Sequence, residues 1–167
     1  MNRIELAKQV EFLSKLYAKL KAKRGLEDLF FFNREIIEQD PERRKNIVPH
    51  VHGEWWKWHK SSKKRIKMIL VPRHTLKSTF FTVGGTLQMI AKNPNVRILI
   101  ASATLSRAQS FLADIKDHIR NNKSFIENYG DFYNPDGKWT ESEIVVKGRS
   151  LGIRDPTVVA TGVGANI

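Results

Sequence analysis

A lysine followed by a serine, Lys77-Ser78, ends the stretch ILVPRHTLKST, where a predicted strand gives way to a predicted helix. A lysine in this position can reach the β- and γ-phosphates of a nucleotide, and a serine hydroxyl can join the coordination shell of Mg²⁺. The backbone N–H groups of residues 74–79 would face the anion at the start of the helix. The residue types and their position therefore favour phosphate-binding chemistry.

The glycines that usually accompany this chemistry are absent. The pattern GxxxxGK[ST] places glycines at positions 71 and 76, where this chain has Val71 and Leu76. The strict pattern fails, so an ordinary solvated helix start is the alternative interpretation. A larger side chain before the lysine also hinders close approach of the backbone to a phosphate.

Two strand–helix pairs are predicted to position this loop. The run IKMILV is a short apolar strand before it, and STFFTVGGTLQMIA is a helix after it. The run VRILIASA predicts a second buried strand, and TLSRAQSFLADIKDHIRN predicts an amphipathic helix. Strand and helix alternating in this rhythm favour parallel pairing through right-handed crossovers.

The chain before the loop is predicted to be helical. Apolar residues recur at three- and four-residue steps from Ile4 to Leu20, which is typical of one face of an amphipathic helix. Gly25 is predicted to end this helix, and a second helix is predicted from about Leu26 to Gln39. We expect the apolar face of the first helix to pack on the rest of the chain.

The loop resembles the variant Walker A motif of the large terminase subunits of tailed bacteriophages. In that family Pro-Arg or Ser-Arg precedes a few variable residues and then Lys-Ser or Lys-Thr. The matching residues here are Pro72, Arg73, Lys77, Ser78 and Thr79. The resemblance covers residues 50–167 and includes the segments PHVHGEWWKWHK, RILIASATLSRAQSFLADIKDHI and VVATGVGANI, in the order found in the family.

This resemblance implies an α/β fold, in which a P-loop NTPase-type parallel sheet is flanked by helices and preceded by a helical N-terminal extension. Residues 1–60 would form that extension and a connector rich in tryptophan and lysine. Residues 61–167 would form the ATPase core, incomplete because the Walker B strand and the nuclease domain are absent from the sequence.

The resemblance also implies that ATP and Mg²⁺ bind at this loop. Lys77 and Arg73 would be catalytic, the latter because a guanidinium can bridge two phosphate oxygens, and Ser78 would contact Mg²⁺. The full set of implied nucleotide-binding residues is Pro72, Arg73, His74, Thr75, Leu76, Lys77, Ser78 and Thr79.

The partners implied by the resemblance are double-stranded DNA, a portal protein and a small terminase subunit. The working motor would be a ring of identical subunits in the host cell cytoplasm. Neighbouring subunits in such rings often supply an arginine to the active site, and Arg107, Arg149 and Arg154 are candidates.

Phosphoryl transfer also needs a carboxylate at the end of a second buried strand, to hold the Mg²⁺ shell. None of the apolar strands predicted after the loop ends in Asp or Glu. The order of segments in the family would put that strand just beyond Ile167. We therefore expect weak or no ATP turnover by this chain alone.

Three functions remain open. They are the ATPase portion of a DNA-packaging motor, a helicase-like P-loop ATPase, and a non-catalytic basic domain that binds nucleic acid. The net charge of +12 and the isoelectric point of about 10.1 favour a polyanionic partner. The stretch WWKWHKSSKKRIK, residues 55–67, is a possible single-strand platform, because aromatic faces can stack on bases while lysines follow the phosphates. Buried anchors are nevertheless favoured for its three tryptophans.

Composition excludes several other classes. Cysteine is absent, which rules out a disulfide framework and thiolate metal sites. His50, His52 and His59 lie close together but lack the spacing of a metal site. The charged N-terminus does not resemble a signal peptide, so we expect a protein that is not secreted. No apolar run approaches the roughly 18 residues of a membrane span.

Overall fold

The computed structural model describes residues 3–164, most of which are helical. The α-helices are α1 (Arg3–Glu27), α2 (Leu29–Phe32), α3 (Pro41–Arg44), α4 (Glu54–Ser61), α5 (Gly85–Lys92), α6 (Leu105–Asn121) and α7 (Lys123–Tyr129). Three π-helical turns, Asn33–Ile37, Pro49–Gly53 and Ser78–Gly84, adjoin α2, α4 and α5. The strands are β1 (Ile98–Ser102), β2 (Glu143–Ile144) and β3 (Val158–Gly162).

Helix α1 forms where the apolar spacing predicts it, but its first part is exposed. The side chains described between Arg3 and Leu20 all face solvent, including those of Leu6, Val10 and Leu13. The expectation that this apolar face packs on the rest of the chain is therefore wrong for the described residues. Burial begins only near Gly25, where α1 meets the other helices.

Gly25 does not end α1, contrary to the prediction, because the helix continues through it to Glu27. Its role is close approach: a Cβ atom at this position would overlap the Tyr129 hydroxyl and the Ile36 side chain. The Tyr129 hydroxyl donates a hydrogen bond to the Ala22 carbonyl at 3.0 Å. The glycine therefore allows α7 to pack on the C-terminal end of α1.

The helices predicted after the loop and after the second strand are confirmed. The first comprises the π-helical turn Ser78–Gly84 and then α5. The second is α6, which begins after Thr104, whose hydroxyl accepts a hydrogen bond from the Arg107 N–H at 3.3 Å. The buried face of α6 packs on β1 and β3.

The sheet is small and mixed, with the strand order β1-β3-β2. Strands β1 and β3 are parallel, with Ile100 opposite Ala160, whereas β2 is antiparallel to β3. In β1, Ile100 is buried against the helices while Leu99 points to the opposite face and is exposed. Helices therefore cover one face of the sheet at β1 and leave the other face open.

The predicted fold class, a P-loop NTPase-type parallel sheet flanked by helices, is wrong for the described residues. Residues 66–71, which are expected to form a strand, form neither a strand nor a helix and pair with no other strand among residues 3–164. Their alternate side chains Ile66, Met68 and Leu70 are 88%, 77% and 82% exposed. A parallel sheet of that class is covered on both faces and buries such a strand, and neither condition holds.

One cluster of buried apolar side chains holds the helices and the sheet together. It contains residues from both sides of residue 60, and the boundary predicted there remains a prediction. The largest fully buried members are Phe32, Ile36, Phe80, Val83, Leu87, Ile90, Leu112, Ile115, Ile119, Phe125, Ile144 and Val146. Each such side chain contributes about 1.5–3 kcal/mol by leaving water.

In residues 3–164, no helix combines the length and the apolar character needed to cross a membrane.

The helix after the loop is fixed to the N-terminal helices by Asn33, which is buried. Its side-chain amide donates hydrogen bonds to the Leu29 carbonyl at 2.9 Å and to the Phe80 carbonyl at 3.2 Å. A Cβ atom at Gly84 would overlap this amide, whereas one at Gly85 would meet nothing within 4 Å. Gly84 therefore allows close packing between two helical segments.

We expect Gly84→Ala to lower the free energy of unfolding by about 1–3 kcal/mol, because the new methyl group must displace Asn33. The matched control, Gly85→Ala, should instead raise it by up to about 1 kcal/mol, because alanine favours the helix and space is available. Urea denaturation of both variants measures the difference. Equal effects of the two substitutions would contradict this role of Gly84.

Candidate functional site

Residues 71–79, called the Lys-Ser loop below, adopt a backbone conformation that normally requires glycine. His74 and Leu76 have φ angles of 63° and 59°, in the left-handed region. Leu76 occupies the position of the second glycine in the usual phosphate-loop pattern. A left-handed conformation costs a non-glycine residue roughly 1–2 kcal/mol. The loop therefore has a glycine-like bend at the expected place, at a cost in stability.

Contacts from within and behind the Lys-Ser loop hold this conformation. The Thr75 hydroxyl donates a hydrogen bond to the Pro72 carbonyl at 2.8 Å. The Thr75 carbonyl, in turn, lies 3.0 Å from Nε2 of His52. The Val48 N–H donates to Nδ1 of His52 at 3.1 Å, so the neutral ring must carry its proton on Nε2 and donate it to Thr75.

His52 is only 3% exposed and is held in place by aromatic rings. Its ring centroid lies 4.7 Å from that of Trp55, edge to face, and 5.5 Å from that of Phe80. Phe80 belongs to the helix that follows the loop. His52 therefore links the loop, the start of its helix and α4 through one buried side chain.

The helix after the Lys-Ser loop begins with the residues that could bind phosphate. Its first hydrogen bond runs from the Phe80 N–H to the Leu76 carbonyl at 2.8 Å. The N–H groups of Lys77, Ser78 and Thr79 lie ahead of this bond, where a helix offers donors to an anion. The first turns are π-helical, a geometry that occurs often at functional sites.

A cavity of about 680 Å³, called the loop cavity below, lies against the Lys-Ser loop. It is lined by every residue from Val71 to Thr79 and by Arg107, from the first turn of α6. The cationic side chains of Arg73, Lys77 and Arg107 have no carboxylate within 4.0 Å among residues 3–164. The arrangement therefore offers three unpaired cations and a helix start to one anionic ligand.

The eight residues predicted to bind a nucleotide, 72–79, all line the loop cavity. The structure thus brings Arg73, Lys77 and Ser78 together, as the loop pattern predicts. Their binding of ATP, and the catalytic roles of Lys77 and Arg73, remain predictions.

The oxygen ligands that line the loop cavity determine how it could hold Mg²⁺. Ser78 lines the cavity together with Thr75 and Thr79, and within the described part of the chain no carboxylate joins this lining. Mg²⁺ prefers oxygen ligands and commonly binds through substrate phosphates and few protein groups. These residues fit a cation that arrives with phosphate oxygens and is contacted by Ser78, and they do not form a cage for a free ion.

A second, smaller cavity of about 370 Å³ adjoins the first turn of the helix that follows the Lys-Ser loop. It shares Leu76 and Thr79 with the loop cavity, and Ile47 and Phe80 add apolar surface. Its remaining lining residues are polar or charged: Asn33, Glu38, Arg43 and Asn46. The two cavities thus adjoin the same turn of backbone and differ in character, one strongly cationic and one mixed.

The sequence does not predict the roles of three residues that line the site or support it. Arg107 is predicted only as one of three candidates to act on a neighbouring subunit, yet it lines the loop cavity of its own chain. Its position in the first turn of a helix that follows a strand and begins after Thr104 is the sequence signal that could have placed it at this site. His52 and Asn33 act on backbone carbonyls, and no sequence pattern encodes those contacts.

The tryptophans divide between the two predicted roles. Trp55 and Trp56 are half-buried and pack against the apolar core, which confirms the favoured role as anchors. Trp58 is 45% exposed and lies next to cationic residues of the same segment.

Comparisons of the chain with protein-family models, with curated proteins and with solved structures find no match. The similarity to large terminase subunits accordingly rests on the motifs of the sequence alone.

We expect His52→Phe to loosen the Lys-Ser loop, because the ring volume is kept while the Thr75 carbonyl and the Val48 N–H are left without a partner. The loss should be about 1–3 kcal/mol for buried polar groups left unpaired. Amide hydrogen exchange of residues 72–79 should become faster, and His50→Phe, at an exposed position, serves as the control. Unchanged exchange in the loop of His52→Phe would show that this bond does not hold it.

Proposed function

We propose that the Lys-Ser loop and Arg107 bind the phosphates of ATP with Mg²⁺, and that the chain is the ATP-binding portion of a DNA-packaging motor of the large-terminase kind. The proposal does not rest on a P-loop NTPase sheet, which the described residues do not form. It rests on the loop, on its cavity and on the order of motifs along the sequence.

The observation that supports ATP binding best is the convergence of cations from two parts of the chain. Arg73 and Lys77 come from the Lys-Ser loop, and Arg107 comes from α6, after β1. An enclosed triphosphate concentrates several negative charges within a few ångströms, which suits such a group of unpaired cations. A cavity of about 680 Å³ is also within the usual range for small-molecule sites.

The cationic side chains differ in what they can do. Lys77 offers a compact positive charge on a flexible stem, suited to a position between two phosphates. Arg73 and Arg107 offer planar forks that can donate two parallel hydrogen bonds to one phosphate. When bound, Mg²⁺ neutralises charge on the phosphate oxygens, and Ser78 is the residue placed to contact it.

The mixed cavity beyond Leu76 and Thr79 is the place that we assign to the nucleoside. It adjoins the loop cavity through shared residues and combines apolar surface with polar side chains. That combination is usual for sites that bind a base and a sugar. Leu76, at the boundary, would separate the phosphate end of the ligand from the nucleoside end.

Binding is expected to exceed hydrolysis. No carboxylate among residues 3–164 lines the loop cavity, and phosphoryl transfer requires one to hold the Mg²⁺ shell and usually another to orient the attacking water. The prediction of weak or absent turnover by this chain alone therefore stands as part of the proposal.

The context of the motor is supported by the motif order and by the charge of the chain. A net charge of +12 suits a protein that handles DNA. Under this proposal the partners are duplex DNA, a portal protein and a small terminase subunit, and the assembled motor is a ring of identical subunits in the host cytoplasm.

We expect Lys77→Ala to weaken the binding of Mg²⁺-ATP by about 10- to 100-fold, the loss expected for one charge-assisted contact to phosphate. Isothermal titration calorimetry measures the affinity, and Lys123→Ala, at an exposed position away from the loop cavity, is the matched control. Wild-type protein that binds no ATP, or binds it as well without Lys77, would contradict the proposal.

Arg107→Ala should reduce affinity for ATP about 10-fold while leaving affinity for adenosine unchanged, because only the phosphates approach this side chain. Arg107→Lys should recover only part of the loss, because an ammonium group cannot form the two parallel bonds. Arg3→Ala removes an exposed arginine that does not line the cavity and serves as the control. Equal losses for ATP and adenosine would show instead that Arg107 acts through the fold.

A further inference from the structure

Positive charge is concentrated in one part of the chain. Residues 55–113 contain eleven Lys and Arg and no Asp or Glu, whereas the whole chain has 29 and 17 of these and a net charge of +12. The remainder of the chain is therefore almost neutral. The eleven cationic residues are Lys57, Lys60, Lys63, Lys64, Arg65, Lys67, Arg73, Lys77, Lys92, Arg97 and Arg107.

Few of these cations are neutralised by the fold. Lys57 pairs with Glu54 at 2.6 Å, and Arg97 pairs with Asp155 at 2.8 Å. The other nine have no carboxylate within 4.0 Å among residues 3–164. Two sites, the loop cavity and a second group, account for most of them.

The second group lies at residues 57–67, called the basic segment below. It includes the last turns of α4 and the start of residues 62–70, called the connecting segment below, which precede the Lys-Ser loop. Five of its six cationic side chains are exposed, and the sixth, Lys67, donates to the His59 carbonyl and so holds the connecting segment against α4. None of its residues lines the loop cavity.

Like charges crowd one another around this segment. Burial and, after it, the charge of Lys60 lower the pKa of Lys92, at the end of α5. Burial and then the charge of Lys67 lower the pKa of His59 in the same way. Cations from α4, α5 and the connecting segment thus lie near one another, and of these only Lys57 has a carboxylate within 4.0 Å among residues 3–164, which favours a polyanionic partner.

We propose that the basic segment binds the phosphate backbone of duplex DNA without regard to its sequence. This inference deepens the proposed function, on which it rests for the choice of DNA as the partner. It places DNA outside the loop cavity, on the lysines and the arginine between α4 and the Lys-Ser loop.

The surroundings of the basic segment favour duplex DNA over other polyanions. A single-strand platform needs several aromatic faces on which bases can stack, but Trp55 and Trp56 pack inward and Trp58 alone of the three is exposed. A membrane-binding helix needs a continuous exposed apolar face, but on α4 Trp55 and Trp56 contact the core, and Trp58 lies exposed between Lys57 and Lys60. Ile66, Met68 and Leu70 are also exposed, but they lie outside any helix.

The test replaces four exposed cations of the basic segment, as Lys60→Gln, Lys63→Gln, Lys64→Gln and Arg65→Gln in one variant. A control variant carries Lys8→Gln, Lys19→Gln, Lys23→Gln and Lys123→Gln, which are also exposed and lower the net charge equally. Fluorescence anisotropy measures binding of both to a short duplex at several salt concentrations. Helix content and the thermal midpoint establish that each variant is folded, and Lys63→Gln/Lys64→Gln is a milder second variant.

We expect the basic-segment variant to bind DNA at least tenfold more weakly. The plot of log affinity against log salt should become shallower by about 0.9 for each phosphate that the protein no longer neutralises, while the control stays close to wild type. An equal loss in both variants, or a loss only in the control, would overturn the proposal. Weaker binding to anionic lipid vesicles or to single strands, with duplex binding unchanged, would do the same.

Binding of Mg²⁺-ATP to the same variants separates this inference from the proposed function. We expect it to be unchanged, because the substituted residues lie outside the loop cavity. If wild-type protein binds no ATP while the basic-segment variant no longer binds DNA, the proposed function fails and the DNA surface stands. If ATP binds and DNA affinity does not depend on the basic segment, the reverse holds.

Discussion

The position of the Lys-Ser loop depends on one buried amide group. The side chain of Asn33 bonds the end of α2 to the Phe80 carbonyl, in the first turns of the helix after the loop, and Gly84 leaves room for it. A buried amide without such partners would cost several kcal/mol, so the two helical segments are held in one relative position. The same contact fixes the start of the helix that follows the Lys-Ser loop, where Lys77 lies.

Two other buried polar side chains also join helical segments by donating hydrogen bonds to backbone carbonyls. Gln88 donates to the Gly25 carbonyl at 2.7 Å, and Asn122 donates to the Ile37 carbonyl at 2.9 Å. In each case a side chain on one helix satisfies a carbonyl near the end of another, where carbonyls lack partners within their own helix. Apolar burial supplies most of the stability, and these directional bonds determine how the helices are aligned around the loop.

Local features of the site could be predicted from the sequence, and long-range ones could not. The Lys-Ser pair, the helix after it and α6 follow from residue types and apolar periodicity. An apolar run suggests a strand but does not specify a pairing partner, and residues 66–71, predicted as a strand, belong to no sheet among the described residues. His52 and Asn33 bond to residues that lie 23 and 47 positions away in the sequence. Their partners are backbone carbonyls, which every residue has, so no residue type in the sequence indicates these contacts.

The unpaired segment at residues 66–71 has a consequence for how copies of this chain meet. Ile66, Met68 and Leu70 are exposed there and the segment has no strand partner among residues 3–164, so a strand from another molecule could add to it. Lys63, Lys64 and Arg65 lie immediately before it and would oppose the pairing of two copies, because their positive charges would come together. A polyanion that neutralises those charges would remove the repulsion, so self-association through this segment would be coupled to what these cations bind.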